Sequence, residues 1–546
     1  MDEYEAGKAK TRRHRKVIKL LKHHYGYGAF KPGQYEIINK IINNEDVCAI
    51  LPTGYGKSLT YQMPALYKGM PGIVVSPLIS LMDDQRMILE KLGITSCCYN
   101  SSVKDRTQMR KDILDGKYQF VYITPEAITK MYDFIEKLAE KPGIALVAID
   151  EAHCISSYGF DFRTAYRDLT FLKKCLPNVP ILAVTATATA VVGQDICKVL
   201  NMNVERIIST SFDRPNLFLE IAHKTSKISN DILPIVQKHT GEAMIVYCVT
   251  IKDTEKISGI LRNNGIKCGI YHGGLDAAEK LKTHENFIDE KINCVVATIA
   301  FGMGINKSNV RAVIHYGSPK NIEGYYQEIG RAGRDGKKAY CYTFYSMKDF
   351  KIQETFIVNG KNQDPKYIRQ QMQLLDCMKR YISTSQCRRK CLLEYFDEKY
   401  PCKCDFCDNC CGTTKKVEVK TSAQNVQKEA KMLIGVIESV TDMNKSFGLG
   451  TYINILRGSK NKAAKLFLKN DYYNEGHHRS VNWWKELGEN LIKMGYLIVV
   501  HIRGGFGVQV IKVSQKGTNW ANMSEMTHIM GTSITAMEPI MMATDI

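Results

Sequence analysis

Pro52-Thr53-Gly54-Tyr55-Gly56-Lys57-Ser58, set between the apolar run at residues 47–51 and a stretch with helical periodicity, decides the fold. Glycines at such a strand-to-helix junction let backbone N–H groups close around phosphates at a helix N-terminus. In that arrangement Lys57 reaches the outer phosphates and Ser58 holds Mg²⁺, with Thr53, Gly54 and Gly56 shaping the loop. The strict form of the motif has glycine where Leu51 stands. The loop implies an α/β lobe with a parallel sheet, so the next question is how many such lobes the chain holds.

Outward from this loop, β-branched runs alternate with helical stretches from residue 25 to about 346. The runs lie at 73–76, 120–123, 145–149, 181–185, 244–247, 269–272, 294–297, 312–315 and 340–344. Apolar runs this short, separated by helices, predict parallel sheets covered on both faces. The span exceeds one such sheet, and a break at 209–216, with Pro215 inside it, predicts two lobes in tandem, at 25–208 and 209–350. A basic arm at 1–24 precedes them. A helical, cysteine-rich segment follows at 351–411, then a polar linker at 412–428. Residues 429–520 read as a helical unit closed by a hairpin around Gly504-Gly505-Phe506-Gly507, the pattern of a winged helix. Residues 521–546 read as a flexible tail.

Lys and Arg number 75 against 56 Asp and Glu, a formal charge of +19 that favours a polyanionic partner. No secretory signal is recognised, and no apolar run is long enough to cross a bilayer, so a membrane role is not expected. The 18 cysteines in such a chain predict reduced thiols and an intracellular location, nuclear if the source is a eukaryote. Seven of them crowd into residues 387–411, which calls for a metal before disulfides. Cys387 followed by Cys404, Cys407 and Cys410 has spacing suited to tetrahedral zinc, with Cys402 and Cys411 near enough to substitute.

Asp150-Glu151-Ala152-His153 directly follows a strand run, at the end where α/β sheets bind ligands. Asp150 is the expected Mg²⁺ partner, and Glu151 the group that orients or deprotonates an attacking water. In the second lobe, Gln327-Glu328-Ile329-Gly330-Arg331-Ala332-Gly333-Arg334 places two arginines three residues apart. On a helix they would share a face and reach one target, such as a γ-phosphate in the cleft between lobes.

These motifs occur in one order with Tyr27…Phe30-Lys31-Pro32-Gly33-Gln34, Ser76-Pro77-Leu78-Ile79-Ser80-Leu81-Met82, Thr185-Ala186-Thr187-Ala188, Phe212-Asp213-Arg214-Pro215-Asn216 and Ala297-Thr298…Ala300-Phe301-Gly302-Met303-Gly304-Ile305-Asn306-Lys307. The series resembles the RecQ helicase family over residues 25 to about 520. The winged-helix segment His477-His478-Arg479-Ser480-Val481-Asn482-Trp483-Trp484 is most similar to the Werner-type branch.

The resemblance implies two RecA-like lobes, a zinc-binding subdomain and a winged helix, with ATP, Mg²⁺ and structural Zn²⁺ as cofactors. It implies an ATP-dependent 3′→5′ motor that tracks on single-stranded DNA and unwinds duplex or branched DNA in repair, recombination or replication. By it, Gln34 reads the adenine edge and Tyr27 stacks on the base beside Lys31, where the family usually has arginine. It supports Cys387, Cys404, Cys407 and Cys410 as the zinc ligands.

The likeness also assigns DNA contacts to Ser76, Thr187 and Thr298, and to the aromatic loop with Tyr158, Phe160, Phe162 and Arg163. This chain has Tyr158 for the usual Trp, Phe160 for His and Thr164 for Pro. Arg479 and the hairpin-tip Phe506 are further expected contacts, Phe506 as a strand-separating pin. No exonuclease is recognised before the motor, nor a further helical domain after the wing. The alternatives are an RNA helicase, since an Asp-Glu-Ala-His strand end serves RNA motors too, or a non-catalytic DNA-binding or strand-annealing factor. Protein partners are not readable from the sequence.

Overall fold

The computed structural model describes residues 2–101, 103–156, 163–302, 307–360, 362–401, 403–412, 424–459, 461, 463–501, 509–522 and 541–542. Two compact units result, residues 1–414 and 415–546. In the first, four-residue strands such as Val47–Ile50, Gly72–Val75 and Leu146–Ile149 are buried along their whole length. Alternate residues feed opposite faces: Cys48, Ile50, Ile73 and Val75 join one core, while Val47, Ala49 and Val74 join another. A parallel sheet covered by helices on both sides demands this apolar continuity.

The first sheet has seven parallel strands in the order Ser96–Tyr99, Phe120–Ile123, Gly72–Val75, Leu146–Ile149, Ile181–Thr185, Val47–Ile50, Ile208–Ser209. The second has six parallel strands in the order Cys268–Tyr271, Cys294–Ala297, Ala243–Cys248, Val310–Tyr316, Ala339–Tyr345, Leu217–His223. The expected pair of tandem lobes is therefore present. Chain order reverses around Val47–Ile50, so the glycine-rich loop emerges into the crevice at the carboxyl ends of the strands.

Three sequence readings need correction. The supposed basic arm is a helix, Asp2–Tyr25, whose Val17 and Leu21 are fully buried against Ile38, Leu59 and Met63. Arg12, Arg15, Lys16, Lys19 and Lys22 are exposed on the outer side of this amphipathic element. The supposed linker ends early: Val426 is buried, and a helix begins at Gln427. Within the supposed tail, Met541–Met542 pairs antiparallel with Gln424–Asn425.

In the second unit, the helices Gln427–Asp442, Leu449–Leu456 and Val481–Lys493 enclose a core and precede the hairpin Leu497–His501/Gln509–Val513, giving a winged helix. Trp483 and Trp484 are both core residues, and Trp484 Nε1 donates to the Gly476 carbonyl at 2.8 Å. Among the described residues no helix is long and apolar enough to cross a membrane.

Truncating a fully buried leucine costs about 2–5 kcal/mol, through lost transfer energy and a residual cavity. Leu21→Ala is therefore expected to lower the first thermal unfolding transition of the full chain clearly, and Lys22→Ala, on the exposed side, to leave it near wild type.

Candidate functional site

The loop after Val47–Ile50 turns on Gly54 and Gly56, with φ of 78° and 87°, before the helix Lys57–Lys68 begins. Both positions are left-handed, a conformation that costs L-residues energy. Gly54 also lies under the second lobe: a Cβ there would sit 3.1 Å from Arg334 Cγ. The exposed N–H groups of Lys57–Lys68 give the loop its anion affinity. Lys57 Nζ lies 3.4 Å from Glu151 Oε1.

Gln34, expected at the base edge, is instead buried and engaged with the loop. Its Nε2 donates to the carbonyls of Tyr55 (2.8 Å) and Gly56 (3.3 Å), and its Oε1 accepts from Lys31 N–H at 2.9 Å. Lys31 Nζ donates to the Gly54 carbonyl at 3.3 Å and sits 5.1 Å over the Tyr55 ring. Tyr55, which sequence reasoning passed over, thus anchors this corner; its hydroxyl donates to the Pro32 carbonyl at 3.0 Å. Tyr27 is 60% exposed, leaving its ring accessible.

Asp150 and Glu151 leave the strand Leu146–Ile149, with Glu151 forced to a φ of 49°. Asp150 is buried, and its Oδ1 accepts from Glu151 N–H at 2.9 Å. Burial first, and the neighbouring Glu151 charge second, push Asp150 up to about 6. Burial also works to raise Glu151, but Lys57 and His153 outweigh it and hold this carboxyl below its usual range.

His153 was not singled out from the sequence. Its Nδ1 lies 2.9 Å from Thr185 Oγ1 and 3.3 Å from Glu151 Oε2, tying the acidic strand end to the neighbouring strand. Lys57 and His153 offset the Glu151 charge, but Asp150 remains a buried carboxylate beside that charge, an unfavourable place for an anion. A divalent cation at Asp150 would relieve it, so the donor set fits Mg²⁺ with Ser58 close by in the chain.

The second lobe contributes the helix Ile322–Ile329 and the turn that follows. Gln327 Nε2 donates across the cleft to Thr187 Oγ1 at 3.0 Å. Arg331 and Arg334 do not share a helical face, because the helix stops at Ile329; they converge through successive turns instead. Arg331 is buried, and its Nε has no hydrogen-bond partner among the described residues. Burial, then the charges of Arg331 and Arg214, push Arg334 down to about 9. Clustered guanidinium groups facing a phosphate-shaped loop suit a polyphosphate.

The expected DNA contacts fare differently. Ser76 is 1% exposed and Thr187 is bonded to Gln327, so both hydroxyls point into the protein rather than at a phosphate. Thr298 is half-buried, and its N–H donates to the Tyr271 carbonyl at 3.1 Å. Arg163 Nη1 donates to the Pro77 carbonyl at 3.1 Å. Arg479 is drawn into the winged helix: Glu429 Oε1 accepts from its Nη2 at 2.9 Å, and its guanidinium lies 4.4 Å over the Trp483 ring. Tyr158, Phe160, Phe162 and Phe506 lie outside the described residues.

The Sγ atoms of Cys387, Cys404, Cys407 and Cys410 all lie within 4.8 Å of one another. A tetrahedral zinc with Zn–S bonds of about 2.3 Å places its sulfurs about 3.8 Å apart, so this set needs little adjustment. Four thiolates leave no open position, which makes the site structural. Cys411 is exposed, and its thiol donates to the Asp405 carbonyl at 3.1 Å. Cys402 lies outside the described residues. Between two ligands, Asp408 bonds the buried Arg388 (3.0 Å) and accepts from Ile221 N–H (3.0 Å), fastening the module to the edge strand Leu217–His223.

Residues 31–194 match the DEAD/DEAH box helicase family and residues 224–336 the helicase conserved C-terminal domain. Residues 347–411 match the RecQ zinc-binding family, and residues 420–532 the RQC domain.

Among curated proteins the chain is 58% identical over 530 residues to a putative ATP-dependent RNA helicase of Acanthamoeba polyphaga mimivirus, covering 96% of each. It is 38% identical over 509 residues to the ATP-dependent DNA helicase RecQ of Bacillus subtilis, covering 92% of this chain and 82% of that one. The mouse bifunctional 3′-5′ exonuclease/ATP-dependent helicase WRN is 36% identical over 92% of this chain, which spans 37% of that protein.

At the level of fold, a DUF1998 helicase, MrfA, solved with DNA, superposes with a TM-score of 0.51 at 18% identity, over 66% of this chain and 56% of that one. Yeast Dbp5, solved with RNA and ADP BeF3, superposes with a TM-score of 0.50 at 19% identity, over 66% of this chain and 96% of that one. Two parallel-sheet lobes, a four-cysteine zinc module and a winged helix thus stand in one chain with these matches, and the chain belongs to the RecQ family of ATP-dependent helicases.

Proposed function

We propose that this helicase moves 3′→5′ along one DNA strand, hydrolyses ATP in response to that strand, and separates the duplex ahead of it. The observation that carries the reading is the packing of the glycine-rich loop that precedes Lys57 against the turn that carries Arg331 and Arg334, with Thr53 beside Gly330 and Gly54 beside Arg334. Polarity rests on the family likeness alone. DNA as substrate is supported by the winged helix, a fold that presents a helix to duplex grooves, and by the formal charge of +19.

When bound, Mg²⁺–ATP supplies the phosphoryl group that is transferred to water. In our reading, Lys57 leaves Glu151 to bind phosphate, and Glu151, freed of its partner, accepts the proton of the attacking water. Asp150 and Ser58 hold the metal, while Arg331 and Arg334 stabilise charge from the opposite lobe. The Gln327–Thr187 bond joins the lobes beside this centre, so a change in one is felt by the other. Tyr27 and Lys31 remain candidates for the base, with Gln34 holding the loop beneath them. Tyr158, Phe160, Phe162, Arg163 and Thr298 are proposed strand contacts and Phe506 the separating pin.

The name of the mimivirus relative raises RNA as a second substrate. Matched DNA and RNA duplexes with 3′ or 5′ single-stranded tails decide between them. The expected result is unwinding of the 3′-tailed DNA; preference for the RNA duplex, or for 5′ tails, would refute the respective part of the proposal.

Lys57→Ala is expected to lower DNA-stimulated ATP turnover by about 10²-fold or more, with single-strand binding retained; turnover near wild type would remove Lys57 from the chemistry. The zinc module is expected to be a folding element. Purified protein should hold about one zinc per chain, and Cys407→Ser should lose it together with thermal stability, whereas Cys411→Ser should keep both.

A further inference from the structure

The motif Phe212-Asp213-Arg214-Pro215-Asn216 has no part in the mechanism above, yet its arginine touches both lobes. Arg214 Nη1 donates to the carbonyl of Thr53, in the phosphate loop, at 3.2 Å, and to that of Gly330 at 3.4 Å. Its Nη2 donates to the carbonyls of Ala332 at 2.8 Å and Gly333 at 2.9 Å. One guanidinium therefore reads the loop of the first lobe and the turn that carries Arg331 and Arg334. Among the described residues no carboxylate forms an ion pair with it. Burying a cation on neutral carbonyls is costly, and only the planar fork of arginine can face four acceptors in this arrangement.

The surroundings fix this geometry from three sides. Asn216 Nδ2 donates to the carbonyls of Gly333 and Lys337, both at 2.9 Å. A Cβ on Gly333, at φ +55°, would lie 2.4 Å from that nitrogen, so the turn closes only around glycine. Phe212 stacks on Phe396 at 4.4 Å, and its N–H donates to Glu398 at 2.7 Å. Arg389 then grips the backbone: its Nη1 donates to the Arg214 carbonyl and to Asp213 Oδ1, both at 2.6 Å, and its Nη2 to the Leu217 carbonyl at 2.7 Å. Arg389 lies in the helix Arg388–Tyr395, whose N-cap is the zinc ligand Cys387.

We propose that Arg214 is a positioning residue that seats the Arg331/Arg334 turn against the phosphate loop, held in register by the zinc-bearing helix through Arg389. The zinc module would then be linked to the nucleotide site through one side chain. This rests on the reading of Arg331 and Arg334 as phosphate-facing groups. Arg214 itself touches neither nucleotide nor water in this scheme.

The test is a double-mutant cycle in the full chain, using Arg214→Gln, Arg331→Ala and the double variant. The readouts are DNA-stimulated kcat, KM for ATP, single-strand binding and zinc content. Arg214→Gln is expected to lower kcat about tenfold or more with KM within about threefold, the pattern of a group that acts only as the transition state forms. Zinc and strand binding should be unchanged. Because Arg214 acts through the turn that carries Arg331, the double variant should be slowed by clearly less than the product of the two single losses.

A kcat within about twofold of wild type for Arg214→Gln, or a double variant slowed by the product of the single losses, overturns the proposal. Should Arg214→Gln lose zinc or strand binding, Arg214→Lys is measured in the same cycle; the same losses there show a merely structural role and also overturn it. If Arg331→Ala alone leaves kcat unchanged, the failure belongs to the mechanism on which the proposal rests.

Discussion

Positive charge held out of water at the seam between the two lobes is the constraint on which the rest of the structure depends. Arg331 and Arg334 come from one lobe and Arg214 from the segment joining the lobes, and Arg214 and Arg334 lie against the glycine-rich loop of the other. Like charges in a poorly solvated place repel, and Arg334 is correspondingly driven down to about 9. On the opposite wall Glu151 is paired with Lys57 and His153, while burial and then the Glu151 charge drive Asp150 the other way, up to about 6. Each wall is unfavourable by itself. Both are relieved by one object: a chain of phosphates that carries a divalent cation, negative toward the arginines and positive toward Asp150.

The parallel sheets make that seam possible. Strands buried on both faces stack rigid layers behind each wall, and the chain reversal around Val47–Ile50 opens a crevice at the strand ends. The zinc module extends the same logic. Its Arg388–Asp408 pair fastens it to Leu217–His223, and Arg389 reaches from its helix to the backbone of Arg214. The zinc module is thereby tied by hydrogen bonds to the segment that joins the lobes.

How much of this was legible depends on what kind of partner each residue uses. Apolar runs such as 181–185 and 294–297 announced their strands, because burial on both faces leaves no polar interruption. Ser96–Tyr99, reading Ser-Cys-Cys-Tyr, did not, since an edge strand tolerates polar residues. Val17 and Leu21 were hidden among cations, and the helix Asp2–Tyr25 with them. A zinc site was readable because thiolate spacing is itself the signal, whereas the choice of Cys387, Cys404, Cys407 and Cys410 over Cys402 and Cys411 came from the family resemblance. The partner of Arg479 was hidden, since Glu429 lies 50 residues away and charge alone does not name a partner. Arg214, Arg389 and Gln34 spend their hydrogen bonds largely on backbone carbonyls, which carry no side-chain signature in any sequence.

The central claim is that phosphate discharges the arginine wall, and thermal stabilisation of the full chain by nucleotides tests it most directly. Binding stabilises the folded state in proportion to how much better that state holds the ligand. A non-hydrolysable ATP analogue with Mg²⁺ is expected to raise the unfolding temperature of the wild type well above the rise given by saturating ADP with Mg²⁺. In Arg331→Ala/Arg334→Ala that difference should vanish. Equal stabilisation of the wild type by the two nucleotides, or a difference that survives loss of both arginines, would contradict the account.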